Sequence, residues 1–171
     1  AIAGAVVGAI PIVSYMGVPT ARAEAGSAKF RVVAFNTWFR NHDYAAIGRF
    51  LEQTQADVIV IEERDRDDGA QRIAELLRSH PHSFDAGLRH GAIVFLRRPI
   101  VSAESLALAE RPGVRAARVT HDWQGTPVTV LGVHLHWPLG PQSSRLRNAE
   151  LAAIASFAAA HQGPLVVTGD F

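Results

Sequence analysis

The stretch that most constrains this chain is Ala56-Asp57-Val58-Ile59-Val60-Ile61-Glu62-Glu63, a β-branched apolar run that stops abruptly in two carboxylates. A run bounded by polar residues and too short for a typical helix reads as a strand buried on both faces, as in layered α/β proteins. Its end is where chemistry is expected. An unpaired carboxylate in a dry interior costs several kcal/mol or takes up a proton, so the strand either surfaces at its two Glu residues or holds a cation there. Surfacing is the simpler expectation for Glu62.

The pattern recurs along the chain. Phe30 to Trp38 carries a strand ending in Asn36. Asn41-His42-Asp43 follows as a turn and helix cap, and Tyr44 to Gln55 places Ile47, Phe50 and Leu51 at helical i, i+3, i+4 spacing. With the strand from Ala56 to Glu63 this makes a strand, helix, strand unit, for which a parallel pair is the default. Asn36 and Glu63 are then expected at one edge of the sheet. Arg64 to Asp68 reads as a solvated charged loop, and Gln71 to Arg78 as a helix through Ile73, Leu76 and Leu77. Ala92 to Leu96 is a further strand. Val114 to Thr120 and Pro127 to His134 form an antiparallel hairpin across Trp123-Gln124-Gly125, Arg145 to Ala160 a helix, and Pro164 to Asp170 a last strand. His80, His82, His90, His121 and His161 are expected in solvated loops or near helix ends, and Trp137 in a packing role.

Composition narrows the function classes. Of 171 residues, 48% are hydrophobic and 19% charged, which suits one domain with a real core, and a net charge of +1 gives no global field for nucleic acid. Cysteine is absent, which excludes disulfides, thiolate zinc sites and a cysteine nucleophile. No phosphate-binding loop, Gly-x-Ser-x-Gly elbow or dinucleotide fingerprint is present. Residues 1–18 are apolar and uncharged and read as the end of a membrane anchor or as a signal h-region, with 19–28 as linker and 29–171 as the catalytic domain. Either membrane reading places the domain outside the cytoplasm, membrane-anchored or secreted. The chain starts on Ala and stops on a strand-like run, so a fragment with an incomplete C-terminal end is expected.

Asn36, Glu63, His134 and Asp170 each end an apolar strand, and in layered α/β folds ligands bind at such carboxyl ends. Hard oxygen donors with one imidazole and no thiolate suit Mg²⁺, with Mn²⁺ as the alternative. Such an ion, holding a phosphate oxygen, is what phosphoester hydrolysis needs. A His134-Leu135-His136 metal pair would instead suit a calcineurin-like metallophosphoesterase, and a non-catalytic extracytoplasmic binding module on the same fold is the rival from another class.

These residues resemble the endonuclease/exonuclease/phosphatase superfamily over about Phe30 to Phe171. Its strand ending in Asn and its strand ending in Gln-Glu are similar to Val33-Ala34-Phe35-Asn36 and to Asp57 through Glu63, with Glu62 in place of the Gln. Its Gly-x-Ala-Ile-x-Ser-Arg-x-Pro-Ile pattern is similar to Gly91 through Ile100, with Leu96 in place of Ser. Its strand ending in His-Leu, its Arg-x-x-Gln-Leu helix start and its Gly-Asp-Phe-Asn motif are similar to Val133-His134-Leu135, Arg147 through Leu151 and Gly169-Asp170-Phe171. The resemblance implies a four-layer α/β sandwich of two packed mixed β-sheets flanked by helices. It implies that Glu63 and Asn36 bind the metal, that Asp170 orients or deprotonates the attacking water, that His134 contacts a non-bridging phosphate oxygen, and that Arg97 is a phosphate contact. The implied substrate is a phosphodiester or phosphomonoester, nucleic acid among the options, and no protein partner is inferred.

Overall fold

A computed structural model describes residues 26, 28–64, 69–87, 91–108 and 115–171 of the chain. The expected membrane segment and most of the linker lie outside the described residues, as does His90. No helix among the described residues is long and apolar enough to cross a membrane.

The first half builds a four-stranded sheet, in the order β1-β2-β4-β3, from β1 (Val32–Asn36), β2 (Val58–Glu62), β3 (His82–Asp85) and β4 (Ile93–Leu96). The second half builds another from β5 (Ile100–Ala107), β6 (Arg115–Trp123), β7 (Thr126–His134) and β8 (Leu165–Asp170), in that order. Strands β1 and β2 pair in parallel with Asn36 opposite Glu62, and β7 and β8 pair in parallel with His134 opposite Asp170. The remaining pairs are antiparallel. The β6–β7 turn fits the expected hairpin: Gln124 and Gly125 both take positive φ, at 55° and 84°, which matches the twist of the flanking strands.

Side-chain parity assigns the layers. Along β2, Ile59 and Ile61 face helices α1 (Tyr44–Gln53) and α2 (Gly69–Leu76), packing with Tyr44, Ile47, Leu51 and Ile73. Val58 and Val60 point the other way, into a core shared with Ala117, Val119 and Val130 of the second sheet. These four apolar residues of β2 are fully buried, each contributing about 1.5–3 kcal/mol relative to exposure. On the far side of the second sheet, Leu131, Val133, Leu165 and Val167 pack against Ile154, Leu151 and Phe157 of α3 (Gly140–Ala160). The order is therefore helices, sheet, sheet, helix, the expected four-layer sandwich. The sheets approach closely at Gly132, where an added Cβ would lie 2.9 Å from Val60.

Asp43 caps α1, its carboxylate accepting from the Ala46 amide at 2.9 Å, as the Asn41-His42-Asp43 stretch predicts. Helix α3 starts five residues earlier than the spacing predicts, because Pro141 is preorganised for a first turn. Strands β3 and β5 are additions to the sequence reading. Two histidines depart from the solvated expectation: His80 and His121 are buried. His80 bonds the Ala56 carbonyl through Nε2 at 3.0 Å, while His121 stacks on Phe30. Burial pushes both imidazoles below their ordinary range.

Candidate active site

The same parity builds the site. Asn36 follows Val32 and Ala34 on the inter-sheet side of β1, and His134 follows Val130 and Gly132 on that side of β7. Asp170 follows Val166 and Thr168 on β8. The carboxyl ends of two parallel pairs, one in each sheet, thus bring their polar last residues to one rim between the sheets. Asn36 Nδ2 donates to Asp170 Oδ2 at 2.8 Å across that gap. The Trp38 amide donates to Asn36 Oδ1 at 2.9 Å, which aims the amide so that its NH₂ faces the carboxylate.

Glu62 has the parity of Val58 and Val60 and so points between the sheets; it is 1% exposed. This corrects the expectation of a surface carboxylate. The strand does not surface until Glu63, whose positive φ of 53° breaks the alternation and turns its side chain to the rim. Thr37 holds this bend, its hydroxyl lying 2.9 and 3.0 Å from the carbonyl oxygens of Glu62 and Glu63. Burial, with the Asp170 and Glu63 carboxylates beside it, pushes the Glu62 carboxyl up to about 8. Its Oε1 has no hydrogen-bond partner among the described residues.

Gly169 leaves room for that buried acid. Its φ is +135°, and a Cβ there would lie 1.9 Å from the Val133 carbonyl oxygen and 2.9 Å from Glu62 Oε1. Gly169→Ala is expected to lower stability by at least about 2–4 kcal/mol, through backbone strain and overlap together. Urea unfolding measures it, and an unchanged midpoint would mean that β8 can shift away from Glu62.

Glu63, His134 and Asp170 each offer one ligand atom, and these atoms lie within 4.8 Å of one another. His134 Nε2 is 3.7 Å from Glu63 Oε1. The two carboxylates at this spacing, open to a cavity, fit a small divalent cation that keeps part of its water shell, with the imidazole beside it. The structure ties Asn36 to Asp170 rather than to Glu63, so the amide orients that carboxylate.

The cluster opens into a cavity of about 760 Å³ whose walls include Trp38, Phe39, His136, Trp137 and Phe171. Trp137 is 75% exposed, which overturns its expected packing role. Arg64, read from sequence as part of a solvated loop, also lines this cavity. Its guanidinium donates to both carboxylate oxygens of Asp85 at 2.8 Å and to the Gly91 carbonyl at 2.9 Å.

Arg97 is not brought to this rim. Strand β4 runs antiparallel to β2, so its carboxyl end lies beside the start of β2, where Arg97 Nε donates to the Ala56 carbonyl at 2.6 Å. At about 3.3 Å per residue this is roughly 15 Å or more from Glu63. The His134-Leu135-His136 metal pair does not form either. The strand ends at His134, and the His136 ring turns to Glu150 of α3, Nδ1 to Oε1, at 2.5 Å.

A family model, Endonuclease/Exonuclease/phosphatase family, matches residues 33–171. No curated protein matches the sequence. Among solved structures, humanised Danio rerio TDP2 superposes with a TM-score of 0.71 at 14% identity, covering 84% of this chain and 61% of that one. Sphingomyelinase C from Streptomyces griseocarneus gives 0.67 at 18% identity, covering 84% and 64%. SmcL gives 0.65 at 19% identity, covering 82% and 62%. The chain therefore spans less than two thirds of the length of each of these neighbours. The likeness confirms the two-sheet fold and, with the family match, excludes the calcineurin-like alternative. By sequence pattern over residues 33–171 and by architecture, the chain belongs to the endonuclease/exonuclease/phosphatase family.

Proposed function

We propose that this chain carries part of the active site of a metal-dependent phosphoester hydrolase, with Mg²⁺ as the ion and water as the nucleophile. The single observation that carries the reading is the convergence of Glu63, His134 and Asp170 within 4.8 Å, with Asn36 fixing Asp170. Glu63, on its left-handed bend, is the principal metal ligand, and Asp170 stands beside it. A divalent ion held there supplies charge neutralisation for a phosphoryl group and its leaving oxygen. Asp170, oriented by Asn36, aims and deprotonates the attacking water. His134 hydrogen-bonds a non-bridging phosphate oxygen, where negative charge builds up in the transition state. The solved neighbour named for sphingomyelinase C supports a phosphodiester substrate. The apolar residues 1–18 support a domain outside the cytoplasm, membrane-anchored or secreted.

Hydrolysis of plasmid DNA, sphingomyelin and inositol polyphosphates, assayed in parallel, tests the reading. Activity is expected to vanish on chelation and return with Mg²⁺, and Glu63→Gln to need at least about tenfold more Mg²⁺ for half-maximal rate. Full activity of Glu63→Gln in chelator would falsify the metal assignment. A protein that binds one of these phosphoesters and leaves it intact would support the binding-module rival.

A further inference from the structure

His136 in the cavity wall, with Glu150 buried behind it, is left unused by this mechanism. Glu150, on α3, is fully buried, and both its oxygens are committed to one residue. Oε2 accepts the backbone N–H of His136 at 2.9 Å, and Oε1 lies 2.5 Å from Nδ1 of the same ring. His136 lines the cavity that holds Glu63, His134 and Asp170. A carboxylate has no proton to give, so Nδ1 carries the hydrogen and donates it to Glu150. In the neutral ring, Nε2 on the opposite edge then bears a lone pair. Two bonds to one rigid helix fix both the main chain and the ring, so the direction of that lone pair is set before any ligand arrives.

We propose that His136 is a specificity-determining residue of this site. Its Nε2, oriented by Glu150, accepts a hydrogen bond from a hydroxyl or N–H on the group esterified to phosphorus. The proposal rests on the phosphoesterase reading above and narrows its substrate to phosphoesters whose alcohol portion carries a hydrogen-bond donor near the ester. His134 serves the phosphoryl oxygens, and His136 reads what is attached to them. Glu150 is a positioning residue, since it acts only through the imidazole.

Two probes that differ only in such donors test this at pH 8 with saturating Mg²⁺: 2,3-dihydroxypropyl p-nitrophenyl phosphate and propyl p-nitrophenyl phosphate. The full-length protein is expected to favour the dihydroxypropyl ester by about tenfold in kcat/KM, the value of one added hydrogen bond. His136→Phe keeps a planar ring without nitrogens and should bring the ratio to about one. Glu150→Gln is the sharper variant. Its oxygen accepts the backbone N–H while its NH₂ donates to Nδ1, so the ring proton moves to Nε2 and the acceptor is lost with both bonds to α3 retained. Its ratio should also fall to about one. A preference that persists in both variants, or losses equal on both probes, would overturn the proposal and leave the pair a structural clamp. A wild-type ratio near one would overturn it while leaving the phosphoesterase reading standing. Failure of the wild type to hydrolyse either ester would overturn that reading and the proposal with it.

Discussion

Replacing His134 by alanine is expected to lower turnover by about two to three orders of magnitude at saturating Mg²⁺, while the melting temperature changes little. The size is that of losing one donor aimed at developing negative charge, which counts for more in the transition state than in the bound substrate. The position supports it: His134 ends β7 opposite Asp170, and its Nε2 lies 3.7 Å from Glu63 Oε1. The ring is partly buried at the strand end, so its removal trims little from the core. The loss should fall on kcat more than on KM. A decrease of less than tenfold would show that the imidazole serves the fold rather than the reaction.

Glu62→Gln is expected to stabilise the protein in alkaline, metal-free solution, by about 2–3 kcal/mol at pH 9. The folded-state carboxyl is raised to about 8 from the ordinary 4.5, burial being the largest cause. Between those values the folded chain holds a proton that the unfolded chain has released. Stability therefore falls as pH rises from about 4.5 to 8, and the full cost is present above both. Each unit is worth about 1.4 kcal/mol, and the expected gain is set below the full span because the unpaired acid can relax toward the rim. Gln stays neutral throughout. Thermal melts in chelator should give matching curves near pH 4.5 that separate as pH rises. Parallel pH profiles for the two proteins would show that Glu62 ionises freely where it lies.

What was legible in the sequence was the strand code. The run from Val58 to Ile61 announced a strand covered on both faces, and it is. The polar ends of four apolar strands announced a common rim, and Asn36, His134 and Asp170 reach it together with Glu63. The error at Glu62 has a physical origin. Alternation along β2 aims Glu62 into the gap between sheets, but a single sequence does not show that a second sheet lies over it, or that Gly169 clears space for it. Only the positive φ at Glu63 carries the chain out, and a Glu is an uncommon residue for that conformation.

Arg97 shows the converse. Its motif pointed to phosphate, yet the antiparallel course of β4 carries its carboxyl end to the opposite edge of the sheet. Strand β5 escapes the sequence pattern because Ser102, Glu104 and Ser105 break Ile100 to Ala107 into two short apolar pieces with no sustained alternation, and β3 because His82 to Asp85 has only Phe84 to mark it. The His136–Glu150 pair joins a strand end to a helix fourteen residues on, a contact that periodicity does not reveal.

The proposed divalent-cation site lies between the parallel strand ends of the two sheets. Mg²⁺ titration followed by backbone amide NMR tests it most directly. Saturable shifts confined to residues 36–38, 62–64, 134–136 and 169–171, and abolished in Glu63→Gln, are the predicted result. Shifts that centre elsewhere, or that persist unchanged in Glu63→Gln, would contradict it.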